Sequence, residues 1–199
     1  MLKGYKPKLL KLVKYSDPVL REKTKPVQFP LSLEDQKLIA DMIYSIQPKQ
    51  LLAAGAEHGS AAGMAANQWG INKSIFLYCP SGDTINDLAV IINPSYEPIK
   101  THIFANHEDT EWEGCFSVPL ATGNVKRSTR IKAKFHNEQG KLLELELDGW
   151  MARVWQHETD HLEGFLYDDP RAGKCLEKHT FATQEELDAF FDVIRAARK

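Results

Sequence analysis

Apolar residues recur every three or four positions in three stretches of this chain and every second position in two others. Leu33, Leu38, Ile39, Met42, Ile43 and Ile46 give the helical rhythm over residues 33–47, opened by Ser32 with Asp35 three residues on. Short apolar runs at 74–79 and 88–92 predict strands, the second stopped by Asn93-Pro94. Residues 130–136 and 141–147 alternate around Asn137-Glu138-Gln139-Gly140 and predict a hairpin. A helix follows directly, with Trp150, Val154, His157 and His161 on one stripe and Gly164 as its closing glycine. A last helix over 183–198 starts at Thr183, takes Glu186 as capping partner and buries Leu187, Phe190, Phe191 and Ile194. Residues 60–68, mostly alanine and glycine, read as a loop. The pattern predicts an α+β fold in which antiparallel sheets pack around the central, histidine-bearing helix, with further helices towards each end.

Composition narrows the partners. At 199 residues with 43% hydrophobic and 26% charged, the chain reads as one domain, 1–199, with a short arm over residues 1–10. A net charge of -2 offers no basic footprint for nucleic acid, and no apolar run reaches membrane-spanning length, so neither is expected as a partner. The lysine-rich start lacks the arginine, serine and apolar stretch of a targeting peptide, which predicts a surface arm. Three sparse cysteines, Cys79, Cys115 and Cys175, argue against a disulfide framework and for a reducing compartment. Cys79 ends an apolar run and reads as core, whereas Cys115 sits in a turn feeding a strand end.

The chemistry concentrates in His157-Glu158-Thr159-Asp160-His161, the pattern H-E-x-x-H. On a helix the two imidazoles stand one turn apart on one face and can grip one metal ion. Glu158 then lies beside the ion, placed to take a proton from water. Chance would produce this pattern about 0.02 times in such a chain, so its surroundings must decide. An apolar stripe running into two histidines favours a metal site walled by core. Three classes stay open at this point: an amide hydrolase, a peptidase cutting internal bonds, and a metal-stabilised binding module without turnover.

Two further segments, taken with this one, separate these classes. Ala61-Ala62-Gly63-Met64-Ala65-Ala66-Asn67-Gln68, Glu113-Gly114-Cys115-Phe116-Ser117 and Gln156-His157-Glu158-Thr159-Asp160-His161-Leu162 resemble, in this order, three motifs of the peptide deformylases. Asp17-Pro18-Val19-Leu20-Arg21 and Ile92-Asn93-Pro94 resemble that family's opening and central strand, so the likeness covers about residues 11 to 170. Ala61 and Phe116 depart from the usual glycine and leucine, and Gly149-Trp150-Met151-Ala152-Arg153 is similar to a subgroup that includes organellar and some bacterial enzymes.

The resemblance implies metal-dependent removal of the formyl group from the N-terminal methionine of nascent peptides, in the cytoplasm or an organelle matrix. It implies Cys115 as third ligand beside His157 and His161, with one divalent ion per chain, Fe2+ in the cell and Zn2+ a frequent occupant. It further implies Glu158 as proton carrier, the amide of Gln68 and the backbone N–H of Phe116 as oxyanion donors, and Gly63 where substrate backbone comes closest. Trp150 and Val154 are expected to line the methionine pocket or pack the core, and Arg153 to meet a carboxylate or the substrate. Glu113 and Asp160 are expected to form supporting ion pairs. The end cluster Arg195, Arg198 and Lys199 complements the helix dipole, with transient ribosome contact a lesser expectation.

Overall fold

A computed structural model describes residues 4–56, 59–84, 86–100 and 107–197. In chain order the elements are α1 (Leu33–Ser45), α2 (Pro48–Ala53), β1 (Gly63–Ala65), β2 (Ile75–Tyr78), β3 (Ala89–Pro98), β4 (Glu108–Glu113), β5 (Ala121–Ser128), β6 (Arg130–His136), β7 (Leu142–Asp148), α3 (Gly149–Leu162), β8 (Cys175–Thr180) and α4 (Gln184–Ala197). Short 3-10 turns cover Pro18–Arg21 and Ala66–Trp69. Two antiparallel sheets form, one in the order β1-β2-β3-β6-β7 and one in the order β4-β5-β8. The predicted α+β class holds.

Ser32 caps α1 by accepting the Asp35 N–H at 3.0 Å, as its spacing requires. Pro48 then ends the 33–47 pattern two residues early, because a proline opens a new helix more readily than it continues one. The arm is tied down. Tyr5 O–H and Lys8 N–H both donate to Asp41 of α1, and Leu10 N–H donates to Ser45 Oγ.

Two expectations are corrected. β3 does not stop at Asn93-Pro94 but runs through it to Pro98, and lies at the centre of its sheet. Its register against β6 shifts between Ile92 and Ser95, where Asn93 has φ 49°. The Asn93 side chain takes over the pairing there, accepting Val27 N–H at 2.8 Å and donating to Val27 O at 2.9 Å, so the proline sits in a bulge that needs no ladder donor. Residues 60–68 are likewise not all loop: Gly63–Ala65 pair with β2, and Ala66–Trp69 close a 3-10 turn. Small residues carry no strand rhythm, so their pairing with β2 leaves no trace in the pattern.

α3 packs across the five-stranded sheet and also touches β5 of the other. Trp155 is fully buried and meets Phe76, Tyr78 and Phe135 edge-on at 5.1, 5.5 and 5.5 Å between ring centroids. Edge-to-face aromatic pairs contribute about 0.5–1.5 kcal/mol each beyond the area they bury. This contact fixes the rotation of α3, and with it the direction of the histidines. α4 is shallower than its pattern predicts, with Leu187 buried but Phe190, Phe191 and Ile194 only half-buried. Its cap forms as expected in one half: Glu186 N–H donates to Thr183 Oγ1 at 3.3 Å, while the Glu186 carboxylate accepts the Ala182 N–H. Arg195 pairs with Asp192 at 2.6 Å, and Arg198 and Lys199 lie outside the described residues.

Candidate metal centre and active site

His157 and His161 project from one face of α3 with their Nε2 atoms 3.2 Å apart. The link between β4 and β5 brings Cys115 to them, its Sγ 3.2 Å from His161 Nε2. One donor atom from each of the three residues falls within 4.8 Å of the other two. Donors sharing one tetrahedral ion, with metal–nitrogen distances near 2.0–2.1 Å and metal–sulfur near 2.3 Å, lie roughly 3.3–3.6 Å apart. The separations therefore fit an ion.

The chemistry of the donor set fits as well. His157 Nδ1 lies 2.8 Å from the Glu113 carboxylate, which fixes its N–H on that side and leaves the Nε2 lone pair facing the centre. Burial opposes charge on His157, but Cys115 and Glu113 outweigh it and hold its pKa well above the usual value. Burial, followed by the charge on His157, drives His161 towards the neutral form. The point between them thus calls for positive charge, and a cation there, in place of the proton on His157, would meet three lone-pair donors. A divalent cation meets that demand.

Glu113 is itself held by arginine. Burial alone would raise its pKa, yet the Arg127 guanidinium keeps it well below the usual carboxylate range. Arg127 grips both oxygens through Nε and Nη2 at 2.8 Å and turns its remaining nitrogen to Asp160. Asp160 also receives Lys174. Arg153 donates to Glu113 at 2.7 Å and pairs with Asp109. The ion pairs expected of Glu113 and Asp160 form, and Arg153 takes the carboxylate pairing, one of the two roles expected of it.

Glu158, next to His157 in the chain, is 4% exposed. Burial pushes its carboxyl up to about 7, and its Oε2 has no hydrogen-bond partner among the described residues. A Cβ on Gly63 would stand 2.7 Å from Glu158 Cγ and Oε1. Gly63 therefore makes room for Glu158. Gln68 accepts the Ala65 N–H through Oε1 at 2.9 Å, which turns its NH2 towards Ser117 Oγ at 3.1 Å and Cys115 Sγ at 3.6 Å. Phe116, next to the thiol, packs its ring against the core that holds Ile39, Met64 and Leu77.

The predicted stripe along α3 is interrupted at its start. Val154 is buried in the core with Phe76 and Trp155, whereas Trp150 is 52% exposed and donates its indole N–H to Pro80 O at 2.8 Å. Cys79 is buried as expected, donating to Ala61 O.

Four supporting residues went unpredicted. They are Arg127, Ser117, Asn67 (donating to His161 O at 2.6 Å) and Gln156, whose amide brackets the Ser128 backbone like a strand partner. Asn67, Ser117 and Gln156 stand inside the three motif segments and were within reach there; Arg127 lies in none of them.

The chain is similar to known proteins along most of its length. The family profile described as polypeptide deformylase matches residues 9–175. The chain is 35% identical to peptide deformylase 2 of Corynebacterium efficiens over 173 residues, covering 85% of this chain and 84% of that protein. It is 32% identical to a peptide deformylase of Thermus thermophilus over 194 residues, covering 93% and 94%. Among solved structures, the peptide deformylase of Thermotoga maritima aligns with a TM-score of 0.64 at 33% identity, over 80% of this chain and 95% of that one.

Proposed function

The chain belongs to the polypeptide deformylase family and removes, with the help of a metal, the formyl group from the N-terminal methionine of nascent polypeptides; we propose that Cys115, His157 and His161 are the ligands of one ferrous ion, with Zn2+ as a competing occupant. The observation that carries this reading is the convergence of one sulfur and two imidazole nitrogens on a single point. A thiolate with two imidazoles suits either cation, and the family likeness supports iron. When bound, the ion supplies Lewis acidity to the formyl oxygen and to water.

The remaining work falls to side chains. Glu158 accepts the proton of the attacking water and returns it to the departing amine. Its raised pKa suits both halves of that task, since a carboxyl near 7 gives and takes protons at neutral pH. The Gln68 amide and the Phe116 N–H meet the negative charge that grows on the formyl oxygen, and one such donor is worth about 3 kcal/mol. Gln68 is suited to this because its orientation is set before substrate arrives. β1 pairs only with β2 among the described residues, which leaves its other backbone edge to pair with the peptide. No helix of the described residues is long and apolar enough to cross a membrane; the likeness to bacterial deformylases supports a reaction in the cytoplasm.

Purified protein loaded anaerobically with Fe2+ is expected to release formate from a formyl-Met tripeptide and to leave unblocked peptides uncut. New amino termini within unblocked peptides would instead establish a peptidase. Elemental analysis of anaerobically purified protein should find iron; zinc alone would overturn that assignment.

Gly63→Ala tests the seat of Glu158. The added methyl must displace the carboxylate, and a shift near 1 Å in a reacting group can cost about 100-fold in rate. We expect a kcat loss of that order with metal content unchanged. Wild-type kcat would show that Glu158 does not need this seat.

A further inference from the structure

We propose that Arg153 is a positioning residue for the metal centre, acting on His157 through Glu113; the inference rests on the ligand assignment above. Arg153 and His157 sit one turn apart on α3 and both bond the same carboxylate, which belongs to β4. The two contacts divide its oxygens. Oε1 takes Arg153 Nη1 at 2.7 Å and Arg127 Nε at 2.8 Å, while Oε2 takes Arg127 Nη2 and His157 Nδ1, both at 2.8 Å.

Arg127 alone holds Glu113 from one side, through a fork that leaves the carboxylate able to rock about that pair. Arg153 adds a second direction of pull, from the helix that bears the ligand. It is anchored in turn by Val125 O at 2.9 Å and by the Asp109 side chain and carbonyl. The guanidinium is therefore stretched between α3, β4 and β5 with both Nη groups bonded, and is buried. Only a planar fork can serve these partners at once. Groups that orient a metal-bound histidine typically change metal affinity by about 10- to 100-fold when removed.

The test uses full-length apo protein titrated with Zn2+ under chelator competition, together with the visible spectrum of the Co2+ form. Arg153→Met is expected to weaken Zn2+ binding about 10- to 100-fold and to shift the cobalt bands, because His157 is no longer held at one angle. Arg153→Lys should restore part of the affinity, since an ammonium reaches Glu113 but cannot bridge to Asp109 and Val125. Asp109→Asn keeps Arg153 but weakens its anchor, and should give a smaller change in the same direction; it carries the test if Arg153→Met fails to fold. Wild-type affinity and cobalt spectrum in the foldable variants would overturn the proposal. Cys115→Ser serves as the separate control on the ligand set. Loss of zinc in that variant supports the set whatever Arg153 does, and wild-type affinity there would overturn both.

Discussion

Glu158→Gln is expected to lower kcat for formyl-Met peptides by about 10²- to 10⁴-fold while the protein keeps close to one metal ion per chain. The amide has nearly the shape of the carboxylate, so the seat against Gly63 stays filled and α3 keeps its packing. What disappears is a group able to accept a proton. Burial has already raised the native carboxyl to about 7, and glutamine offers no titrating group at any working pH. Kinetics and elemental analysis on one preparation check both halves. Near-native turnover would refute the role given to Glu158, and loss of metal would show that it helps to hold the ion.

Arg127→Met should produce the largest loss of stability. The guanidinium is almost wholly buried between Glu113 and Asp160, and removing it leaves two acids short of a counter-charge. Breaking a buried ion pair from one side typically costs 3–5 kcal/mol, about 4 here, because the abandoned charge cannot return to water. For a chain of this size each kcal/mol lowers Tm by roughly 2–4 °C, so a drop near 10 °C is expected by calorimetry of the apo protein. Arg153 and Lys174 limit the damage, since each still holds one of the abandoned acids. A shift under 2 °C would mean that water reaches these groups and that the network adds little to folding. Metal affinity should fall alongside, because Glu113 would lose its firmest hold and His157 its fixed partner.

The two predictions differ in how far the sequence foretold them. Glu158 is legible from its neighbours alone, because helical spacing places both histidines around it. Arg127 is not, since a lone arginine in β5 looks like any solvated strand residue. β5 and β8 share that obscurity: Ala121–Ser128 and Cys175–Thr180 lack a clean alternation of apolar and polar residues. They form a sheet because each finds its partner, and propensity on one strand says little about that. Trp150 errs the other way. Its place on the helical stripe implied burial, yet the first turn of α3 emerges beyond the sheet and its indole reaches Pro80 instead.

The sequence by itself determined what is local: the turn-by-turn spacing of His157, Glu158 and His161, the Ser32 cap and the hairpin around Asn137–Gly140. Each depends on residues a few positions apart, whose geometry the backbone dictates. The tertiary structure alone decided which groups hold that chemistry in place. Glu113 meets His157 across 44 residues, Arg127 meets Asp160 across 33, and Gly63 yields space to a side chain 95 positions further on. Such contacts leave no periodic mark. They arise where two sheets close on one helix, and charges buried there persist only because each is met by an opposite charge or a hydrogen bond.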